Sequence, residues 1–101
     1  MKFAWQPEKE QENIIKHGIS FSDAVQVFRD PSRIERHDDD SSYAEDRWQT
    51  IGLAGKVLFV VYTESGDYTR IISARFAEPF ERRTYYGRED GDIHPGGWQR
   101  T

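Results

Sequence analysis

The fold is decided by the stretch VLFVVY, residues 57–62, in which every side chain is apolar. Successive side chains of a β-strand point to opposite faces of the sheet, so a strand here is apolar on both faces. Such a strand belongs at the centre of a sheet, with cover on each face or with its far face partly exposed. Strand candidates flank it at 47–53 and 68–76, and the turn segments AG at 54–55 and SGD at 65–67 join them as hairpins. The sequence therefore predicts an antiparallel meander.

Helices that can cover this sheet precede it in the chain. After a short edge strand at residues 2–5, Pro7 through Lys16 is helical in composition, and Gly18 suits the left-handed conformation at a helix end. A second helix can be capped by Ser20 or Ser22. Its predicted buried face has helical spacing and consists of Phe21, Ala24, Val25 and Phe28.

The remaining segments complete an α+β domain. From Ile34 a short polar strand runs into a predicted loop at 37–42, and after the third strand of the meander a third helix runs from Pro79 through Tyr86. We therefore predict a small antiparallel β-sheet with two N-terminal helices and a short C-terminal helix, in a single domain spanning 1–86. Residues 87–101 are predicted to be a flexible tail, in which Trp98 either folds back onto the domain, which we favour, or serves as a docking anchor.

Composition excludes several classes of protein. Eighteen acidic against fourteen basic side chains give a net charge of −4, so contact with nucleic acid must depend on a local basic patch. The absence of cysteine excludes disulfides, cysteine nucleophiles and thiolate metal sites. No apolar run is long enough to span a membrane, and residues 1–12 contain no hydrophobic signal segment. We expect a cytoplasmic protein without membrane contact.

Motifs for several common chemistries are missing. The sequence has no Gly-rich phosphate loop and no Gly-x-Ser-x-Gly elbow, so nucleotide hydrolysis and esterase chemistry lack support. Asp38, Asp39 and Asp40 beside His37 offer oxygen ligands, but they lack the ligand spacing of a calcium site. We interpret this segment as a solvated acidic loop and expect neither a metal nor a cofactor.

A basic and aromatic group near the end of the domain is the more informative feature. It consists of Arg70, Arg75, Glu81, Arg82, Arg83, Tyr85 and Tyr86. Cleavage of RNA without a metal needs a base for the ribose 2′-hydroxyl, cations for the phosphate and an acid for the leaving oxygen. These side-chain types can fill those roles, and the arginine fork suits phosphate best.

Two considerations count against a simple reading of this group. On a regular strand Arg70 and Arg75 point to opposite faces, so they share a site only if a β-bulge intervenes or one lies at the strand end. From composition alone, these arginines are more simply explained as surface ion pairs with Glu78, Glu81 and Asp67.

The ordered blocks of the sequence resemble the BrnT family of toxins from type II toxin-antitoxin systems. The resemblance covers residues 3 to about 86. Its first blocks are Phe3-x-Trp5, Glu8-Lys9, Asn13-x-x-Lys16-His17-Gly18-Ile19-Ser20-Phe21-x-x-Ala24 and Val27-Phe28-x-Asp30-Pro31. Its later blocks are Arg47-x-x-x-Ile51-Gly52, Leu58-x-Val60-Val61-Tyr62-Thr63, Arg70-Ile71-Ile72-Ser73-Ala74-Arg75 and Glu81-Arg82-x-x-Tyr85.

This resemblance implies a RelE-like fold and a metal-independent endoribonuclease that inhibits translation. It also implies neutralisation by a BrnA-like antitoxin, through which DNA is contacted only indirectly. By position, the implied site residues are Lys16, His17, Arg70, Arg75, Glu81, Arg82 and Tyr85. As a hypothesis, Arg70 and Arg75 hold the scissile phosphate. Either Glu81 or His17 then moves the proton from the 2′-hydroxyl, and either Lys16 or Tyr85 assists the leaving group.

The chain departs from the family pattern at Gln6, where an aspartate is usual, and in its Gly-rich final segment. The first departure removes a potential helix cap, which costs about 1 kcal/mol. Two other functions stay open at this point. One is a catalytically inactive module that binds an antitoxin or regulator through the same surface, and the other is a structural or regulatory protein with no RNA contact.

Overall fold

A computed structural model describes residues 1–40, 45–87, 93–94 and 96–101, the pair 93–94 by its backbone alone. The elements in chain order are β1 (Lys2–Ala4), α1 (Pro7–His17), α2 (Phe21–Ala24), a 3₁₀ helix (Val25–Arg29), β2 (Ile34–Asp38), β3 (Arg47–Ala54), β4 (Lys56–Ser65), β5 (Tyr68–Phe76), α3 (Pro79–Tyr86), β6 (Ile93–His94) and β7 (Trp98–Arg100). The α+β class and the predicted β3-β4-β5 meander are confirmed.

All described strands belong to one sheet, in the order β1-β5-β4-β3-β2-β7-β6. The prediction of a small antiparallel sheet was partly wrong, because β1 pairs with β5 in parallel and makes the seven-stranded sheet mixed. The physical reason is the long connection between β1 and β5, since parallel neighbours require a crossover rather than a hairpin. As predicted, β1 is an edge strand.

The N-terminal helical segment also departs from the prediction of two helices. Helix α1 ends as expected, with Gly18 left-handed at φ 73°. Helix α2 has only four residues, capped by Ser20, and the chain then tightens into the 3₁₀ helix. Valines are stiff at χ1 and lower α-helix propensity, and the 3₁₀ winding lets Val27 pack onto Gly52 of β3.

Strand β4 has buried side chains on both faces, as its apolar sequence requires. On one face, here called the α2 face, Leu58, Val60 and Tyr62 pack with residues of α2 and the 3₁₀ helix. On the opposite face, here called the α3 face, Val57 and Phe59 pack with residues that include Ile34, Ile51, Tyr85 and Trp98. The sheet is therefore the middle layer of the domain.

The segment after α3 contributes to the α3 face. The predicted loop at 37–42 begins later than expected, since His37 and Asp38 are the last residues of β2, and residues 41–42 lie outside the described part. Strand β7 pairs with β2, and Trp98 is buried against Phe59, which agrees with the interpretation that this tryptophan folds back onto the domain. Of the predicted flexible tail, residues 88–92 and 95 also lie outside the described part. No helix among the described residues is long and apolar enough to cross a membrane.

Candidate active site

A bidentate ion pair between Arg75 and Glu81 joins the end of β5 to the first turn of α3. Both terminal nitrogens of Arg75 donate to Glu81, at 2.8 and 2.9 Å. The backbone N–H of Glu78 also donates to Glu81 at 2.8 Å, and only 5% of Glu81 is exposed. Each carboxylate oxygen of Glu81 therefore already accepts a hydrogen bond. This arrangement suits Glu81 to orienting Arg75 rather than to accepting a proton from a substrate.

Arg75 lies above an aromatic ring with part of its guanidinium open to water. Its central carbon is 4.1 Å from the ring centroid of Phe59, which lies opposite Arg75 in the β4-β5 pairing. About a third of the side chain is exposed. Hydrogen bonding to Glu81 raises the pKa of Arg75, so the group stays cationic at any working pH. A fixed, partly exposed guanidinium of this kind can bind a phosphate.

The C-terminal end of α1 is held beside Arg75 by the side chain of Asn13. The amide nitrogen of Asn13 donates to the carbonyls of Ile19 and Ala74, at 2.9 and 2.8 Å. Its amide oxygen accepts from the N–H of Ala74 at 3.0 Å. Asn13 thereby supplies hydrogen-bond partners to the backbone of Ala74, on the side of β5 where no strand pairs with that residue. These hydrogen bonds fix α1 along the edge of the sheet. The last residues of α1, Lys16 and His17, follow one turn later.

His17 lies close enough to Arg75 to respond to its charge. Burial, followed by the positive charges of Lys16 and Arg75, lowers the pKa of His17 below its ordinary value of 6.5. His17 is therefore neutral at pH 7, which is the form that accepts a proton. Among the residues that the structure describes, none hydrogen-bonds to its ring. The imidazole is thus free to meet a ligand.

A β-bulge places Arg70 on the same face of the sheet as Arg75. In the β4-β5 pairing, Val61 lies opposite Ser73 whereas Tyr62 lies opposite Ile71, so Ile72 is the extra residue. One extra residue reverses the alternation of side chains. The bulge that Arg70 and Arg75 need in order to share a face is therefore present.

The shared face does not bring the two arginines to one point. Arg70 and Arg75 are five positions apart along the strand, which corresponds to about 15 Å. Arg70 instead donates to both carboxylate oxygens of Glu45, at 2.6 and 2.7 Å. The two arginines can hold two different phosphates of one strand more easily than a single phosphate.

Tyr85 and Arg82 have structural partners. Tyr85 is buried, and its hydroxyl donates a hydrogen bond to Asp30. Burial, together with this bond, raises the pKa of Tyr85. Arg82 is exposed on α3, and one of its terminal nitrogens donates to the carbonyl of Ala77 at 2.8 Å. Tyr85 therefore fastens α3 to the end of the 3₁₀ helix and is poorly placed to protonate a leaving group.

The structure thus places the end of α1, with Lys16 and His17, near the Arg75–Glu81 pair, because Asn13, one helical turn earlier, bonds to Ala74 next to Arg75. Sequence reasoning missed Asn13 as a member of the site. A signal was present, because an asparagine is costly in a helix interior unless its amide is used.

The chain that forms this small mixed sheet and this cluster of cations near a neutral histidine is similar to a known family of proteins. Residues 5–81 match the family model described as the ribonuclease toxin, BrnT, of type II toxin-antitoxin systems. The class is thus that of ribonuclease toxins that act as one half of a toxin-antitoxin pair. The chain belongs to the BrnT family. No curated protein matches it.

Proposed function

We propose that the chain cuts RNA whose scissile phosphate is bound by Arg75. The reaction needs no metal, and in it the ribose 2′-hydroxyl attacks the adjacent phosphorus. The observation that carries this proposal is the neutral, accessible His17 beside an arginine that Glu81 already orients. A base, a phosphate-binding cation and a second cation, Lys16, then meet at one place. Family membership supports ribonuclease activity itself.

The proton and electron movements follow from these positions. His17 takes the proton of the 2′-hydroxyl, and the 2′-oxygen forms a bond to phosphorus. Arg75 donates hydrogen bonds to the phosphate oxygens on which negative charge develops. The bond from phosphorus to the 5′-oxygen breaks, and Lys16 gives a proton to that oxygen. The products are a 2′,3′-cyclic phosphate and a free 5′-hydroxyl.

The other predicted site residues take supporting roles in this proposal. Glu81 orients Arg75, and Tyr85 holds α3 in place through Asp30. Arg70 binds a neighbouring phosphate once RNA displaces Glu45 from it. Arg82 is exposed on α3 and adds positive charge to this end of the sheet.

Membership of a type II system implies an antitoxin partner. We infer that this partner is BrnA-like and that the pair contacts DNA through the antitoxin alone. We also infer that the pair resides in the cytoplasm. The net charge of −4 favours a basic partner. We also infer that the fold is RelE-like and that catalysis needs no cofactor.

A second function is favoured by one specific observation. Both arginines are already paired with carboxylates, as expected for surface ion pairs. The same surface in an inactive chain would bind an antitoxin without cutting RNA. The two functions differ in whether RNA is cut at all.

The chemistry of the RNA ends tests the proposal. Total RNA from cells in which the chain is induced should acquire ends with 2′,3′-cyclic phosphates and 5′-hydroxyls. A folded His17→Gln variant should not produce them, whereas Arg83→Ala, an exposed arginine of α3, should behave like wild type. New ends with 5′-phosphates would contradict the mechanism, and intact RNA would favour the inactive module.

A further inference from the structure

A groove of about 400 Å³ opens at the end of the sheet, next to the proposed active site. It lies between the turn that joins β3 to β4 and the helix α3, and Phe76, the residue after Arg75, forms part of its wall. Its volume is in the range of small-ligand sites, about 300–1,000 Å³. Neither the proton transfers nor the binding of the scissile phosphate at Arg75 involves the residues that line it.

Aromatic side chains stand open to solvent at this groove. Phe76 is 49% exposed and Tyr86 is 62% exposed. A half-exposed ring near a binding site offers apolar area that a ligand can cover. Both rings are of the type on which nucleobases stack.

The charged side chains that line the groove among the described residues are both cations, Lys56 and Arg82. The Lys56 ammonium lies 5.4 Å from the ring centroid of Phe76. The bond from Arg82 to the carbonyl of Ala77 fixes its guanidinium at the groove wall. Aromatic rings interleaved with cations suit a single-stranded nucleic acid, in which bases alternate with phosphates.

A second groove adjoins the first at the end of α1, and its wall includes the carboxylate of Asp23. Phe76 and Lys56 line this smaller groove of about 230 Å³ as well, and its wall includes Gly18, the residue after His17. Phe76 therefore stands between the end of α1 and the groove beside α3. Because Phe76 directly follows Arg75 in β5, the groove lies within reach of the nucleotide next to a phosphate held at Arg75.

We propose that this groove is a nucleobase subsite of the RNA strand, in which the base stacks on Phe76 and the adjoining phosphate meets Lys56. The subsite rests on the proposed function, because it takes the nucleotide next to the phosphate at Arg75. The stacked base contributes affinity without selecting one base, since every base offers an aromatic face.

Binding of two short single-stranded oligonucleotides tests this subsite. One carries 2′-O-methyl riboses, which block cleavage, and the other has the same backbone without bases. Phe76→Leu should weaken binding of the first oligonucleotide about tenfold. It should leave binding of the abasic oligonucleotide unchanged, because the phosphate contacts remain. Phe76→Tyr, which keeps the ring, and Phe80→Leu, which changes an exposed ring outside the groove, should both bind like wild type.

Lys56 provides a second test that does not depend on replacing the ring. Lys56→Gln should weaken the binding of both oligonucleotides. It should also reduce the magnitude of the slope of log affinity against log salt concentration by about one. Unchanged affinity in Phe76→Leu, or an equal loss for both oligonucleotides, would overturn the stacking role. An unchanged salt slope in Lys56→Gln would overturn the phosphate contact.

The outcome for wild type separates the two proposals. If wild-type chain cuts RNA in cells and Phe76→Leu binds both oligonucleotides normally, only the subsite is wrong. If wild type neither cuts RNA nor binds either oligonucleotide, both the subsite and the proposed function fail.

Discussion

At the scale of single residues, the environment of each side chain assigns the roles that sequence reasoning left open. The sequence offered either Glu81 or His17 as the base. In the structure Glu81 is buried and fully hydrogen-bonded, whereas His17 is accessible and its pKa is lowered. The sequence could not make this distinction, because burial and the charge of a residue 58 positions away depend on the tertiary fold.

The pH dependence of RNA cleavage tests the role of His17. A general base acts in its neutral form, so the rate should rise as the pH passes upward through the pKa of His17, which lies below the ordinary value of histidine, and should level off at higher pH. Initial rates in a bacterial translation extract at several pH values measure this. His17→Ala should lower the rate at least about 100-fold. It should also abolish the rise in rate at acidic pH, here called the acidic limb of the profile. An acidic limb that persists in His17→Ala would mean that another group is the base.

Glu81→Gln separates positioning from proton transfer. Loss of the ion pair should lower the free energy of unfolding by about 1–2 kcal/mol, less than for a fully buried pair because Arg75 is partly exposed. The rate should fall, but its acidic limb should keep the same pKa, since His17 is unchanged. Urea unfolding and the same pH series measure both effects. Glu12→Gln, an exposed carboxylate of α1, is the control. If Glu81 were the base, the acidic limb would vanish in Glu81→Gln.

At the scale of elements, the meander could be predicted almost to its ends, whereas the N-terminal connections could not. The apolar stretch at 57–62 and the glycines of the two turns determine three neighbouring strands by local rules. The bulge at Ile72 and the parallel pairing of β1 depend on contacts distant in sequence. The same holds for the docking of α1 on β5, which Asn13 makes.

Asn13→Ala should detach the end of α1 from β5. It removes three hydrogen bonds and leaves the buried N–H of Ala74 without a side-chain partner, which should cost about 2–4 kcal/mol of unfolding free energy. RNA cleavage should fall as well, because His17 loses its fixed position. Thermal or urea unfolding, compared with the exposed Gln11→Ala, measures the first effect. Equal stability of the two variants would refute the docking role of Asn13.

Gly52→Ala tests the packing of the 3₁₀ helix on β3. A Cβ atom at Gly52 would lie 2.7 Å from Cγ1 of Val27 and 3.1 Å from Cβ of Arg33. Overpacking of this kind should destabilise the fold by about 1–3 kcal/mol. In a double-mutant cycle followed by urea unfolding, Val27→Ala should relieve part of this cost. If the losses of unfolding free energy in Gly52→Ala and Val27→Ala simply add in the double variant, the contact between the new Cβ and Val27 is not the cause of the destabilisation.

At the scale of the whole molecule, the α3 face is completed by a strand that lies beyond the predicted domain boundary at residue 86. Trp98 of β7 packs against Phe59, and Arg36 lies 4.3 Å above its ring. Sequence reasoning could not assign this strand, because its few residues lie among glycines and carry a weak local signal. The restriction of the domain to 1–86 stays a prediction that stability can test.

Trp98→Ala should therefore destabilise the whole molecule. Removal of a buried indole should lower the free energy of unfolding by about 3–5 kcal/mol. Gln99→Ala changes an exposed side chain of the same strand and should have little effect. Circular dichroism during urea unfolding measures both variants. Stability like that of wild type in Trp98→Ala would support a domain that ends at residue 86.

The central claim, that Arg75 and His17 form the site of RNA cleavage, is tested most directly by expression in a bacterial host. Four forms of the chain would be induced in parallel: wild type, Arg75→Ala, His17→Ala and the control Arg83→Ala. Growth and the integrity of total RNA would be followed together, and folding would be checked on purified protein. We expect growth arrest with RNA loss for wild type and Arg83→Ala, and normal growth with intact RNA for folded Arg75→Ala and His17→Ala. Growth arrest and RNA loss in either of these two folded variants would contradict the account.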